Sequence, residues 1–362
     1  MDIGVVKESA ADEHRVALTP FGVRQFVDKG HRVFVQTGAG LDARFEDSEY
    51  AEAGAQIVYQ REETLRRSGV ILGVRAPSLE DVGLLEAGQV VFAFHHLIVA
   101  PKELILKMQD RKITAIGYET IEDANGHPPI LGAIGELAGQ MVVHIAAHLL
   151  HQENGGRGVL LGAVPGINPT RVLVLGAGTV GRTAVRNLVL TGAKVRIMDR
   201  SEECLRRARE ELPAAVEKYV ANAGNVARFS AESAVIIGAV RMHGLRTPYL
   251  VTRKMVSAMR PGSVIIDVAI DQGGCVETSR PTTLTQPTFT VDNVVHYCVP
   301  ALTASIPRTA SKVLSREAFP YVAQVAREGI EKALTESEAI RKGTYIHKGE
   351  IQVPELAARL GK

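Results

Sequence analysis

Three glycines near the middle of the chain have the spacing of a phosphate-binding turn. The segment LGAGTVG places Gly176, Gly178 and Gly181 between an apolar run and a stretch whose apolar residues recur at helical spacing. The first glycine would permit a tight turn, the second would let the backbone approach a pyrophosphate, and the third would let helix and strand pack closely. The pyrophosphate would face the positive end of the helix. The pattern therefore predicts a dinucleotide site.

An acidic residue after the next predicted strand indicates which dinucleotide is bound. Asp199 ends the apolar run KVRIMD, about twenty residues beyond the glycines, where a carboxylate accepts hydrogen bonds from the adenosine ribose hydroxyls. A carboxylate at this position would repel a 2′-phosphate, whereas the neighbouring Arg200 would attract one. We therefore expect NAD, and Arg200 leaves the additional use of NADP open.

Polar side chains also follow several other predicted strands. In open α/β sheets, ligands bind beyond the carboxyl ends of the strands. The candidates at such positions are Lys7, Glu8, Arg15, Arg75, His95, His96 and Asp271. Two arginines, a histidine and an aspartate near a nicotinamide would suit a small acid that exchanges a hydride. Since His95 and His96 are adjacent, we expect one to face the cleft and the other to face helices or solvent.

The remaining metal-type side chains do not form a convincing metal site. Three histidines are spaced along one predicted helix without nearby cysteine or carboxylate partners, namely His144, His148 and His151. The three cysteines are odd in number and lack metal-type spacing, namely Cys204, Cys275 and Cys298. We expect no metal and three buried thiols, which favours a reducing compartment.

Alternating strands and helices must position these side chains. Strands are predicted over 3–6, 31–37, 69–75, 89–96 and 113–119, and again over 171–176, 194–199, 234–240, 263–270 and 288–292. A helix over roughly 136–151 connects the two arrays, and the chain turns helical again after Pro307, with a C-terminal helix expected to pack on the first array. The pattern predicts an α/β fold with two Rossmann-like, doubly wound domains.

Composition bounds the class of protein. A chain of 362 residues corresponds to about two domains, and its net charge of +2 gives no electrostatic reason to expect a nucleic-acid partner. The N-terminus lacks the apolar segment of a signal peptide, and no stretch is expected to reach the length of a membrane span. We expect a cytoplasmic protein without a membrane partner.

Several longer segments together resemble one known family. The segments are KESAADEHRVALTP, VFVQTGAG, TAIGYETI, NGGRGVLLGAVPG, VLVLGAGTVG, IDVAIDQGGCVETSRPTT and VVHYCV. They resemble the alanine dehydrogenase and nicotinamide nucleotide transhydrogenase α-chain family over nearly the whole chain. The resemblance implies an NAD-binding domain over 131–305, inserted in a catalytic domain formed by 1–130 and 306–362. It also implies a homohexamer that interconverts L-alanine with pyruvate and ammonia.

The resemblance also implies roles for individual residues. Arg15 would bind the substrate carboxylate, His96 would be the general acid/base, and Asp271 would hold the ammonium or orient an imine. Arg75 and Ile134 would complete the substrate contacts. The cofactor contacts would be Gly176, Ala177, Gly178, Val180, Gly181, Asp199, Val240, Leu250, Val268 and Leu302.

Three positions depart from the family pattern where the substrate is handled. Arg75 stands where the family has lysine, and arginine stays charged instead of exchanging a proton. The segment Pro300-Ala301-Leu302-Thr303 replaces the family's A-N-M-P, and Gly135 replaces a serine. The function therefore stays open at this point: deamination of L-alanine or a related small L-amino acid, a family member for larger or more anionic 2-oxo acids, or an inactive NAD-binding sensor.

Overall fold

The computed structural model describes residues 1–241 and 246–361. They form two compact units: one combines residues 1–134 with 303–362, and the other comprises residues 135–302. The second unit is thus inserted in the sequence of the first. Each unit carries a mostly parallel sheet with helical crossovers, so the predicted class of two doubly wound α/β domains is confirmed.

The N-terminal part of the first unit alternates strands with helices. Its elements are β1 (Asp2–Val5), α1 (Pro20–Val27), β2 (Arg32–Gln36), α2 (Asp47–Glu52), β3 (Gln56–Val58), α3 (Arg61–Arg67), β4 (Val70–Arg75), α4 (Leu79–Leu84), β5 (Val90–Phe94), α5 (Lys102–Asp110) and β6 (Thr114–Gly117). The Thr19 hydroxyl caps α1 by accepting the N–H of Gly22. All five β5 residues are buried, which is typical of a parallel strand covered on both faces.

The helix α6 (Pro129–Leu149) carries the chain from the first unit into the second. The expectation that no stretch reaches the length of a membrane span is wrong here: α6 has 21 residues and a mean hydropathy of 1.5. Core helices have the same composition, and Val142, Ala146 and Leu149 belong to the hydrophobic core of the second unit. Gln140 and His144 are exposed on another face. We therefore interpret α6 as an amphipathic core helix.

The second unit holds the glycine turn. Its elements are β7 (Arg171–Leu175), α7 (Thr179–Leu190), β8 (Lys194–Asp199), α8 (Glu202–Glu211), β9 (Glu217–Val220), α9 (Ala223–Glu232), β10 (Val235–Gly238), α10 (Arg253–Ser257), β11 (Val264–Asp267), β12 (Thr288–Val291) and β13 (Val294–Tyr297). Among the described residues these seven strands pair in the order β12-β13-β11-β10-β7-β8-β9. Within this sheet β12 runs antiparallel to β13.

The strand predicted over 263–270 is shorter in the structure, because β11 ends at Asp267, three residues before the expected carboxyl end. The Asp267 carboxylate accepts the N–H groups of Cys275 and Val276 at 3.0 and 3.1 Å. These bonds draw the following segment back over the end of the strand, and Val268–Gln272 forms a 3₁₀ helix. Asp271 therefore lies in this 3₁₀ helix and does not directly follow a strand.

The C-terminal part of the chain returns to the first unit. Its elements are α11 (Pro307–Glu328), α12 (Ile330–Glu336), α13 (Glu338–Gly343), β14 (Thr344–His347), β15 (Glu350–Ile351) and α14 (Pro354–Leu360). The expected packing of a returning helix on the first array is found between α11 and α1, where the rings of Phe319 and Phe26 are 4.7 Å apart. The chain does turn helical after Ile306, as expected, and near its end the strand β14, which was not predicted, also pairs antiparallel with β6. The described strands of this unit pair in the order β15-β14-β6-β5-β4-β1-β2-β3.

Candidate functional site

The glycine turn of the second unit joins β7 to α7. Gly176 has φ +103°, and a Cβ there would collide with the carbonyl of Ala239. A Cβ at Gly181 would collide with the carbonyl oxygen of Gly176, so close packing of strand and helix requires glycine. A Cβ at Gly178 would meet nothing within 4 Å, so the outer side of the turn is open. The residues present thus fit the pyrophosphate of a dinucleotide.

Asp199 at the end of β8 supports this turn. Its Oδ2 accepts the N–H of Ala177 at 2.7 Å, and its Oδ1 accepts the N–H of Ser201 at 2.8 Å. Each carboxylate oxygen has two lone pairs, so acceptor capacity remains for ribose hydroxyls. From the helix side, Arg182 Nη1 donates to the carbonyl oxygen of Ala177 at 2.6 Å. The turn is thus fixed from both sides.

The other predicted cofactor contacts lie in different elements of the second unit. Val240 follows β10, and its backbone nitrogen would lie 3.0 Å from a Cβ at Gly176. Val268 begins the 3₁₀ helix after β11, and Val180 lies in the first turn of α7. The N–H of Leu250 donates to the carbonyl oxygen of Cys275 at 2.8 Å. Leu302 is 5% exposed and packs in the same hydrophobic core as Ala177.

The first unit brings its predicted side chains to one edge of its sheet. The adjacent strands β6, β5, β4 and β1 place Glu119, His96, Arg75 and Arg15 at or beyond their carboxyl ends. Phe94 is close to two of these groups: the Arg15 guanidinium carbon is 6.0 Å from its ring centroid, and the His96 ring is stacked 6.1 Å away. An arginine and a histidine near the same buried aromatic ring are side chains suited to a small carboxylate substrate.

Arg15 is buried and tightly oriented. The carboxylate of Glu13 accepts from its Nε and from its Nη2, both at 2.6 Å. Its Nη1 donates to Thr303 Oγ1 at 2.9 Å. Because a bidentate carboxylate pair fixes the plane of a guanidinium, Glu13 and Thr303 set the orientation of the Arg15 guanidinium.

The two adjacent histidines have different surroundings, as expected. His95 is 2% exposed, and its Nε2 lies 3.1 Å from the carbonyl oxygen of Val91. Burial lowers the pKa of the His95 imidazole, which keeps this ring neutral. His96 is half-buried and has the left-handed backbone angle φ +46°. His96 is therefore the better placed of the two for contact with a substrate.

Glu8 links the ends of β1 and β4. Its carboxyl group accepts the N–H of Val74 at 2.6 Å and the N–H of Arg75 at 3.3 Å. Burial, together with repulsion from Glu13, raises the pKa of Glu8 to about 7. The exposed Arg75 lines a small cavity with Glu8 and Ser9. Arg75 thus belongs to the same strand edge, although its guanidinium is less constrained than that of Arg15.

Asp271 and Ile134 lie in different surroundings. Asp271 is half-buried, and its Oδ1 accepts the N–H of Ala301 at 2.9 Å. Ala301 has φ +51°, a left-handed conformation that is unfavourable for alanine. Ile134 is buried at the end of the first unit, on α6, and its neighbour Gly135 would bring a Cβ within 3.2 Å of Val180. The substrate role of Ile134 stays a prediction.

Sequence reasoning missed three charged residues that support these sites. Glu13 lies two residues before Arg15, Glu119 follows β6, and Arg182 lies on α7. The position of Glu119 at a strand end was a usable signal, because the same rule selected His96. Nothing in the local pattern indicates that Arg182 folds back onto Ala177.

One α/β unit carries a nucleotide-binding turn, and the other carries a buried arginine and a half-buried histidine at one edge of its sheet. Together they define a two-domain nucleotide-binding protein of the doubly wound class. The N-terminal domain model of the alanine dehydrogenase/PNT family matches residues 4–138, and the C-terminal domain model matches residues 142–354. The chain belongs to this family.

Individual relatives resemble the chain over its whole length. An alanine dehydrogenase of Halomonas elongata is 40% identical over 361 residues, covering 100% of this chain and 97% of that protein. One of Bacillus subtilis is 40% identical over 362 residues, covering 100% and 95%. A solved L-alanine dehydrogenase superposes with a TM-score of 0.91 at 40% identity, covering 100% of this chain and 99% of that chain. A transhydrogenase structure from Sinorhizobium meliloti, at 24% identity and TM-score 0.81, covers 98% and 99% and shares the fold.

Proposed function

We propose that this protein is an NAD-dependent alanine dehydrogenase that reversibly converts L-alanine into pyruvate and ammonia. The proposal rests above all on the sheet edge of the first unit, where Glu13 orients a buried Arg15, and Arg15 and His96 lie 6.0 and 6.1 Å from the centroid of the Phe94 ring. Full-length similarity to alanine dehydrogenases supports the same activity. It does not favour the alternatives of an inactive sensor or an enzyme for larger acids.

Two arginines bind the substrate in this mechanism. Arg15 pairs with the pyruvate carboxylate, since its guanidinium plane is already fixed by Glu13. Arg75 stays charged and polarises the carbonyl oxygen, where a lysine would also be able to exchange a proton. Ile134 supplies an apolar contact. Binding therefore orients the 2-oxo acid by its charged end and activates its reacting carbon.

His96 moves the proton at the substrate oxygen. Ammonia adds to C2 of pyruvate, and His96 donates a proton to the C2 hydroxyl oxygen so that water leaves and an imine remains. Asp271, held by the N–H of Ala301, orients the imine nitrogen. When bound, NADH would supply the hydride that reduces C2. In the direction of deamination His96 acts as the base for the attacking water.

The second unit would hold the cofactor. The turn residues Gly176, Ala177, Gly178, Val180 and Gly181 would bind the pyrophosphate, with the α7 N-terminus supplying N–H groups and a favourable dipole. Asp199 would bind the adenosine ribose. The further contacts in the proposal are Val240, Leu250, Val268 and Leu302. The corresponding domains are an NAD-binding domain over 131–305 and a catalytic domain over 1–130 and 306–362.

We also propose that the chain forms a homo-oligomer, a hexamer by family resemblance, in the cytoplasm. In the second unit, Leu160, Val164, Ile167 and Leu190 are 62%, 44%, 68% and 85% exposed. The segments that carry them are adjacent, since a Cβ at Gly192 would lie 3.0 Å from Ala163. Such an apolar patch supports contact between copies of the chain.

The three free thiols of the chain agree with the proposed reducing compartment.

Light scattering of a double variant tests the assembly. Ile167→Glu with Leu190→Glu is expected to yield smaller species than the wild type, because two buried charges would be unpaired at the contact. Tyr59→Glu is the matched control, since Tyr59 is 82% exposed but belongs to the first unit. An unchanged mass for the double variant would contradict a contact through this patch.

A substrate panel tests the proposed activity. Purified protein with excess ammonium and NADH is expected to consume NADH fastest with pyruvate, and more slowly with longer or dicarboxylic 2-oxo acids. If a dicarboxylic 2-oxo acid is turned over fastest, pyruvate is not the preferred substrate and the proposed alanine dehydrogenase activity is wrong. NADH binding without turnover of any 2-oxo acid would support the inactive sensor.

A further inference from the structure

Glu119 binds the backbone from which His96 projects. Its Oε1 accepts the N–H of His96 at 2.6 Å, and its Oε2 accepts the N–H of His95 at 3.3 Å. The carboxylate is 2% exposed, so it is shielded from water. Two successive backbone N–H groups that converge on one anion form a small concave anion-binding arrangement. Glu119 fills that arrangement from the neighbouring strand end.

The backbone at His96 requires such support. With φ +46°, His96 is in the left-handed region, which is unfavourable for a residue with a Cβ. A non-glycine residue persists there only when its surroundings hold it. The same turn continues with N–H groups of Val99 and Ala100 donating to the His96 carbonyl oxygen at 3.0 and 3.1 Å. Both peptide groups of His96 are therefore bonded.

The strands explain why Glu119 reaches this position. β5 and β6 are parallel neighbours, and the N–H of Tyr118 donates to the carbonyl oxygen of Ala93 at 3.0 Å, which extends their pairing by one residue. Thr120 fixes the chain after Glu119, because its hydroxyl donates to the carbonyl oxygens of Gly117 and Gly343. Glu119 thus projects from an anchored segment towards the end of β5.

We propose that Glu119 is a positioning residue, whose carboxylate holds the left-handed His95–His96 turn and so aims the His96 imidazole at the substrate. This inference rests on the proposed function for its catalytic consequence. Its structural consequence does not: the two amides are bonded to Glu119 whether or not the protein acts on pyruvate. Glu119 itself makes no contact with substrate in this account.

Hydrogen exchange on the intact protein without substrate tests the structural step. Amides of His95 and His96 are expected to exchange slowly in the wild type and roughly 10-fold faster in Glu119→Gln, whose side chain offers one acceptor oxygen. Thr114→Val is the matched control. Thr114 is a fully buried polar residue on β6, but its hydroxyl oxygen lies 3.3 Å from His347 Nδ1 and does not bond the amides of His95 or His96. Wild-type exchange at these two amides as fast as in exposed loops would overturn the proposal without any variant.

Kinetics of the same variants test the catalytic step. A misaimed acid/base is expected to lower kcat for pyruvate amination by roughly 10- to 100-fold in Glu119→Gln, with KM for NADH unchanged and kcat of Thr114→Val unaffected. Equal losses of kcat in both variants would show a general structural effect and overturn the positioning role. A wild type that is silent with pyruvate would contradict the proposed function, while the exchange data would still decide the role of Glu119.

Discussion

Glu13 holds Arg15 by two parallel hydrogen bonds of 2.6 Å, from Nε and Nη2 of the guanidinium to the two carboxylate oxygens. Both side chains are almost fully buried, at 4% and 0% exposure. Removing one partner of a buried ion pair costs about 3–5 kcal/mol, because the other charge is left uncompensated. The arginine that we propose binds the substrate is therefore fixed by a residue two positions away in sequence.

Glu13→Gln is expected to raise KM for pyruvate roughly 10-fold or more, because a neutral amide cannot accept from both nitrogens and Arg15 becomes misoriented. KM for NADH should not change. Steady-state kinetics measure both values. Glu63→Gln is the control, since that exposed glutamate pairs with Arg67 on a helix surface. An unchanged KM for pyruvate in Glu13→Gln would show that the pair does not orient the substrate.

Arg75→Lys is expected to retain turnover of pyruvate, because either cation polarises a carbonyl oxygen. Arg75→Met removes the charge and should lower kcat/KM for pyruvate by roughly 100-fold, comparable to the loss of one preorganised donor. The measurement is NADH oxidation with ammonium in excess. If Arg75→Met works at the wild-type rate, this residue has no part in the reaction.

Ala301→Gly is expected to stabilise the protein by up to about 1 kcal/mol, since glycine adopts the left-handed conformation without a Cβ penalty. The observed φ of +51° at Ala301 is the basis of this expectation. Urea unfolding at a fixed protein concentration measures the change. A lower unfolding midpoint in the variant would mean that packing of the Ala301 methyl outweighs its backbone strain.

Glu8 should make stability depend on pH. In the unfolded chain this carboxyl loses its proton near its ordinary pKa of 4.5, whereas the folded chain keeps the proton until about pH 7. Its contribution to the free energy of unfolding therefore falls as the pH rises from 4.5 to 7, by about 3 kcal/mol at most. Glu8→Gln should abolish this part of the slope. If the free energies of unfolding of wild type and Glu8→Gln change with pH in the same way from pH 4.5 to 8, Glu8 does not cause this pH dependence.

Patterns local in sequence predicted much of this fold. The glycine turn and ten strands of the two sheets are visible as apolar runs, because parallel strands buried on both faces are nearly all apolar. β14 was missed because TYIH is short and follows helical sequence, and its strand conformation depends on pairing with β6, more than two hundred residues earlier. The strand conformation of β14 thus depends on tertiary contacts and not on local propensity.

The residues of the candidate site could be predicted from the sequence, but the residues that orient them could not. Arg15, Arg75 and His96 could be selected from their positions after strands, because ligands bind at that edge of such sheets. The hydrogen bond from His96 to Glu119 could not be predicted from the sequence, because it depends on which strand lies next to β5. The placement of Asp271 in a 3₁₀ helix also escaped prediction, because it follows from the hydrogen bonds of the buried Asp267.

Isotope incorporation tests the proposed amination of pyruvate by this protein. Wild-type protein with pyruvate, NADH and ¹⁵N-ammonium is expected to form ¹⁵N-alanine in an amount equal to the NADH consumed, and His96→Gln should form it at least about 100-fold more slowly. Both products are measured by mass spectrometry and absorbance. NADH consumption without labelled alanine would contradict the alanine dehydrogenase activity, and an undiminished rate in His96→Gln would contradict the role of His96 as acid/base.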